Sequence, residues 1–381
     1  MFVSRLLPIL LLAWVARGGE LRREGSFWVE TIEGSETVAP HGRLRIVAPG
    51  SVVFRGREQS NIIYSFKRRV RARSEAEAQA ALRGCRVRSA RHGDTTSLII
   101  SDAERSAELQ VSCPRDLAEV FLLTKGGSVE AADLSGNLRA QAGAGKIGIY
   151  RIGGNVEIRT AGGPTEIGSI KGLVQCFSGG GPIHVGVIGG GALFESGGGD
   201  IIIQQVDGPV RVFTEGGAIH ITRAGDTVMA NTGGGPIQVD RASGMVIAKN
   251  AGGPIQVGRA SSVRCESASG AIRVNNISGS MRASTAVGSI VAQYLKGLPA
   301  LDSFLSTGSG DITVLIPSNL SVTVRAENEA SGNIKTIISE FKAISVRSEG
   351  AAVIGEGRIN GGGPLLHLAG NGGIIYIKKG N

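Results

Sequence analysis

The sequence predicts an all-β fold, a single-chain β-solenoid with 18-residue coils preceded by a small β-rich or α+β head, and three observations predict it. The motif Gly-x-apolar-x-apolar recurs at Gly127, Gly145, Gly163, Gly181, Gly199, Gly217, Gly235 and Gly253, always 18 residues on. A fixed period of this length marks a unit that buries its apolar face only by stacking on its neighbours. Half a period out of phase lies a second strand, at Val156–Thr160, Val174–Ser178, Val210–Thr214 and Val228–Thr232. Composition agrees: 59 glycines and 4% aromatics depart from the globular average, while 41% hydrophobic residues exclude a solvated low-complexity chain.

Alternation within the strands assigns the faces. Ile183 and Val185, Ile237 and Val239, and Ile255 and Val257 are expected to point inward, with His184, Gln238 and Gln256 outward. Glycine pairs and triplets are expected to supply positive-φ corners, with Pro164, Pro182, Pro209, Pro236 and Pro254 just after them. At the end of the second strand an inward polar position reads Thr160, Ser178, Ser196, Thr214, Thr232, Asn250, Ser267 and Thr285. Such a ladder suits hydrogen bonding to corner backbone. Cys176 and Cys265 fall in one inward column five coils apart, about 24 Å at strand spacing, too far for a disulfide with each other.

The repeat drifts at Gly270 and Gly288 and resumes, after longer spacings, at Gly310 and Gly332. Between them 293–306 reads as an insertion with Tyr294, Leu298, Leu301 and Leu305 on one helical stripe, fit for a short helix. Residues 126–292 are then the regular solenoid and 307–381 irregular C-terminal coils with a cap. The head, 27–125, carries strand-like runs at 44–47, 51–55 and 62–70, then Ser74-Glu75-Ala76-Glu77 with capping-box spacing. Upstream, Arg5 precedes an apolar run at 6–15, and Ala16 and Gly18 stand where a secretory signal is cut, so 1–18 reads as a signal peptide. No later segment has membrane-spanning length, so the product is expected to be exported to the periplasm, cell surface or medium. Export permits a disulfide, for which Cys85 and Cys113 are the candidate pair.

Net charge is +9, with one dense basic run, Lys67-Arg68-Arg69-Val70-Arg71-Ala72-Arg73. Without interleaved aromatics it reads as a solvated strand edge, and no nucleic-acid partner is expected. The chemistry-bearing motifs dissolve into the repeat. Gly143-Ala144-Gly145-Lys146-Ile147-Gly148 matches a dinucleotide fingerprint but precedes no helix. Gly198-Gly199-Asp200 lacks partner aspartates on adjoining coils, as a calcium repeat requires. His184 and His220 lie two coils apart, about 10 Å, too far to share one metal ion unaided. Outward columns stack no two acids, so a carbohydrate lyase or hydrolase is the least favoured alternative. No catalytic residue, cofactor or metal is expected.

The leader, the head containing Gly50-Ser51-Val52-Val53-Phe54-Arg55-Gly56, the Gly-x-Ile-x-Val coils, and the endings Gly308-Ser309-Gly310-Asp311-Ile312-Thr313-Val314 and Asn371-Gly372-Gly373-Ile374-Ile375-Tyr376-Ile377 resemble the bacterial putative-adhesin family, a domain of unknown function with a glycine-rich β-solenoid. The resemblance spans nearly the whole chain after the leader and implies export and this fold; the family offers no catalytic residues. The resulting expectation is a non-enzymatic module that engages envelope polysaccharide or a surface protein, with Phe177, Phe213, Arg211, Gln238, Gln256 and Arg273 as the candidate ligand surface. The alternative is a self-assembling envelope scaffold similar to bactofilins.

Overall fold

The computed structural model describes residues 19, 21–84, 86–101, 107–329 and 334–380; the leader 1–18, Cys85 and Gly332 lie outside the described residues. The chain forms strands almost throughout, in two compact units that divide between Gly145 and Lys146.

In the second unit each coil contributes two strands to two parallel sheets. The leading sheet holds the strands that follow the repeat glycine, such as Ile183–Ile188, Ile201–Val206, Ile219–Ala224 and Ile237–Ala242. The trailing sheet holds Val174–Ser178, Ala192–Ser196, Val210–Thr214, Val228–Thr232 and Met245–Asn250. Register advances by one coil at a time: Ile183, Ile201, Ile219, Ile237 and Ile255 are successive partners. Equal residues therefore stack on equal residues, and the core is a column of buried isoleucines and valines. Parallel strands buried on one side favour these β-branched side chains.

The polar ladder is built as expected. Thr214 Oγ1 donates to Gly199 O on the previous coil at 3.1 Å and accepts from Gly217 N at 3.2 Å. Thr232, Asn250, Thr285 and Thr307 repeat the donation to Gly217, Gly235, Gly270 and Gly288. The glycines differ from expectation. Of the repeat glycines from Gly127 to Gly288, only Gly288 has positive φ, while Gly310, Gly361, Gly362 and Gly372 have it at later corners. At Gly217 and Gly235 the requirement is close approach instead, since a Cβ would lie 2.3 and 2.2 Å from the carbonyl oxygen of the glycine one coil back. Positive φ falls on Arg151 and Asn276, at a bend inside the leading strands.

Residues 295–302 form a turn and extended chain, not the expected helix. Gly297 has φ +86° and Pro299 lacks a donor, which together stop a helix after Tyr294. Tyr294 is buried, whereas Leu298 and Leu301 face solvent. At the end of the chain Leu365–Gly370 is inserted between Ser303–Ser309 and Val322–Asn328, parallel to both. Ile375–Gly380 is likewise inserted between Ile312–Pro317 and Ile337–Ser339. The last coil in sequence is thus not the last in space. Asp302 and Asp311 accept from Leu365 N and Ile374 N at 2.7 and 2.9 Å and hold the start of each inserted strand. Ala352–Ile359 and Ile344–Glu349 add antiparallel strands beyond Val322–Asn328.

The first unit, which contains the β-rich head, is coiled too. Thr95–Ser101, Arg43–Ala48, Glu119–Thr124 and Asn137–Ala142 stack in that order, all parallel. Opposite them stack Glu108–Pro114, Ser51–Arg57 and Val129–Leu134. Here the earliest coil in sequence is the inserted one. The outer edge is covered by antiparallel strands: Arg86–His92 on one sheet, and Asn61–Val70 with Phe27–Thr37 on the other. The helix forms at Glu75–Leu82; Ser74 caps Glu77 N, while Glu77 reaches back to Arg73 N at 2.9 Å.

The basic run is only in part a solvated edge: Lys67, Arg69, Arg71 and Arg73 are exposed, but Arg68 is not. Its strand pairs along Asn61–Val70 on one side and along Ile63–Lys67 on the other, and Arg68 is buried in an ion pair with Glu30 while donating to Leu82 O at 2.8 Å. Arg69 and Arg71 lie over the Phe27 ring, each 5.4 Å from its centroid. A buried charge persists only when paired and hydrogen-bonded, and the antiparallel partner strand supplies both. Cys113 is buried in the same unit, and its expected partner Cys85 is outside the described residues.

Candidate functional site

The six residues expected to form one ligand surface fall on two faces of the second unit. Phe177, Arg211 and Phe213 belong to the trailing sheet, Gln238, Gln256 and Arg273 to the leading sheet. All point outward, because alternation turns their neighbours into the core. No single extended ligand lying on one sheet touches both groups.

On the trailing sheet Phe177 is already covered: the Arg159 guanidinium lies 4.8 Å above its ring. Phe213, two coils along, is 44% exposed. From it a shallow groove of about 590 Å³ runs across four coils. Its floor is one outward column in strand register, Phe213, Asn231, Lys249 and Glu266. The side toward the corner is formed by Glu215, Gly233, Ala251 and Ala268. The hollow comes from this contrast of size, long side chains beside glycine and alanine. The ladder residues Thr214, Thr232 and Asn250 close its inner side and spend their polar atoms on corner backbone.

Along its length the groove passes from an aromatic face to an amide, a cation and an anion. Lys249 Nζ lies 2.9 Å from Glu266, which Arg264 also contacts at 2.8 Å. Hydrogen bonds from Lys249 and Arg264 hold the Glu266 carboxyl below its ordinary range. It is therefore an acceptor at neutral pH, not a proton donor. The set provides a stacking surface followed by hydrogen-bonding groups at about 4.8 Å intervals, suited to a polymer of repeating polar units lying along the coil axis.

On the leading sheet Gln256 and Arg273 are exposed, while Gln238 donates to Asp240 at 2.7 Å. His220 meets Asp240 at 3.1 Å on the next coil. Burial works to raise the Asp240 carboxyl, but its bonds to Gln238 and His220 outweigh that and hold it below the usual range. Near the start of the unit Glu166 accepts from Lys146 and from the Tyr150 hydroxyl, at 2.7 and 2.8 Å, and its carboxyl is lowered by both. His184 and His220 stand in register with Ile202 between them. Among the described residues no group of three or more His, Cys, Asp or Glu side chains is arranged to hold a metal ion.

Cys176 and Cys265 sit in the inward column expected for them, and burial pushes both thiols up to about 12. Asp200 has a backbone role: its Oδ1 accepts from Ala218 N at 2.8 Å on the following coil. Neighbouring coils carry Pro182 and Pro236 at that position and have no N–H to satisfy. The first unit holds a smaller hollow, about 330 Å³, lined by Arg43, Arg45, Glu119 and Phe121. Arg45 lies over the Phe121 ring at 5.4 Å.

No family model matches the sequence, and no curated protein matches it. Among solved structures, a putative cell adhesion protein from Clostridium sporogenes aligns at 10% identity over 91% of this chain and 99% of its own, with a TM-score of 0.19. A putative adhesin from Bacteroides fragilis aligns at 11% identity over 92% of this chain and 96% of its own, with a TM-score of 0.18. Superposition this loose leaves the fold of this chain resting on its own strand register.

Proposed function

We propose that this chain is an exported, non-enzymatic adhesin-like module whose second unit holds an extended envelope polysaccharide along the trailing sheet. The observation that carries the reading is the groove from Phe213 to Glu266, open along the direction in which the coils repeat. A sugar ring packs its C–H face on an exposed aromatic, and its hydroxyls pair with amide and charged groups. A non-enzymatic role is supported by the strand register of the regular coils, which sets no two carboxylates side by side in either outward column of the trailing sheet. Export rests on the 1–18 leader. No helix among the described residues is long and apolar enough to cross a membrane.

The scaffold reading fits less well. End-to-end assembly stacks coil on coil in parallel register, and in the first unit the outermost parallel strands of both sheets are already taken by antiparallel partners. The test is retention of the full chain on immobilised neutral envelope polysaccharides. Retention that Phe213→Ala weakens about tenfold, the scale of one lost stacking contact, supports the reading. Equal retention of both proteins on every fraction refutes it.

A further inference from the structure

The leading sheet carries a feature that the groove does not use. Arg223 is in direct strand register with Arg241. Arg259 follows 18 residues later, and its carbonyl oxygen accepts from Ala242 N at 2.9 Å, which sets it on the next coil at the same level. Three exposed guanidinium groups therefore stack on consecutive coils, about 4.8 Å per step. Gln205 precedes them in register, and Asn276 follows, its amide donating to Gly258 O at 3.4 Å.

Several outward bases of the second unit are paired with acids: Lys146 with Glu166, Arg159 with Glu157, Lys249 and Arg264 with Glu266, Arg325 with Glu327, and Arg347 with Glu356. Among the described residues none of Arg223, Arg241 and Arg259 has an ion pair. Asp240, the acid beside them in sequence, is bonded to His220 and Gln238. Like charges placed directly opposite across strands repel, so a run of three without an acid is a standing demand for external anions. Guanidinium groups bind carboxylates through paired N–H donors, and the demand is for one anion per coil step along a line.

We propose that Arg223, Arg241 and Arg259 bind an extended acidic polysaccharide with a carboxylate on each sugar, lying along the leading sheet. The flanking amides of Gln205, Gln256 and Asn276 are placed for its hydroxyls. Side chains pointing outward from Ile219–Ala224 and Ile237–Ala242 include no Phe, Tyr or Trp, the rings on which successive bases stack in single-strand grooves. This site is separate from the groove and stands without it.

The experiment is a titration of the full chain with polygalacturonate, dextran and polyphosphate at two salt concentrations. Wild-type protein is expected to bind polygalacturonate, more weakly at higher salt, and not dextran at this strip. The triple variant Arg223→Ala/Arg241→Ala/Arg259→Ala should bind it at least about tenfold more weakly, and the triple lysine variant should fall between. A charge-matched control, Lys171→Ala/Arg282→Ala/Lys296→Ala, should bind as wild type, and Phe213→Ala should retain polygalacturonate whatever it does to neutral glycans. Unchanged binding by the arginine variant, an equal loss in the control, or polyphosphate binding at least as tight and equally dependent on the three arginines would each overturn the proposal. Circular dichroism of each variant separates loss of the site from loss of fold.

Discussion

Thr214 shows how one residue holds two coils together. Its hydroxyl is fully buried, donates to one coil's corner and accepts from the next. Thr214→Val keeps the shape and removes both bonds, leaving a buried carbonyl and N–H unmatched. Denaturant unfolding should show a loss of about 1–3 kcal/mol. The corner glycines separate into two kinds. Gly235→Ala would set a methyl 2.2 Å from Gly217 O, whereas Gly216→Ala meets nothing within 4 Å. The first should cost about 1–3 kcal/mol and the second almost nothing, measured in the same assay. The ladder was legible because it recurs every coil. The reason for the glycines was not, since close approach between coils is a property of stacking and leaves the same residue in the sequence as a positive-φ turn. The raised thiols of Cys176 and Cys265 give a further check: alkylation at neutral pH should label them only on unfolding.

Among the elements, the regular strands were the most readable because inward Ile and Val alternate with outward polar residues at the period of a strand. The inserted last coil was not readable. Leu365–Gly370 and Ile375–Gly380 have the same composition as strands that stack in sequence order, and only Asp302 and Asp311 on the receiving coil mark where they belong. A chain end placed between two other strands cannot fray without breaking pairing on both sides. Truncation after Gly363 should therefore expose amides of Ser303–Ser309 and Ile312–Pro317 to hydrogen exchange, far from the cut in sequence. Protection confined to its wild-type level in those strands would contradict this. The apolar stripe of 293–306 misled for a local reason: spacing suggested a helix, but Gly297 and Pro299 deny it the backbone. In the groove, the alternation of strand residues turns Asn231, Lys249 and Glu266 outward, while the hollow beside them depends on small residues at 233, 251 and 268 that attract no notice singly.

Across the whole molecule, many outward bases are paired with acids on the same or the adjoining strand. Glu166, Asp240, Glu266 and Glu327 are all held below the ordinary carboxylate range, so the folded state binds fewer protons at these groups than the unfolded chain. Their contribution is present above the unfolded values, about 4, and is lost as pH falls through the lower folded values. The thermal midpoint should be level near neutrality and fall below about pH 4, with a shallower fall in Glu166→Gln/Glu266→Gln. The proposed function turns on the long direction of the second unit's sheets, and the most direct test is the affinity of the full chain for a neutral envelope oligosaccharide series of increasing length. The groove crosses three coil steps, about 14 Å, so affinity should rise with each sugar up to about three or four and then level off, and Phe213→Ala should flatten the rise. An affinity independent of length, or a length dependence unchanged by Phe213→Ala, would contradict the account.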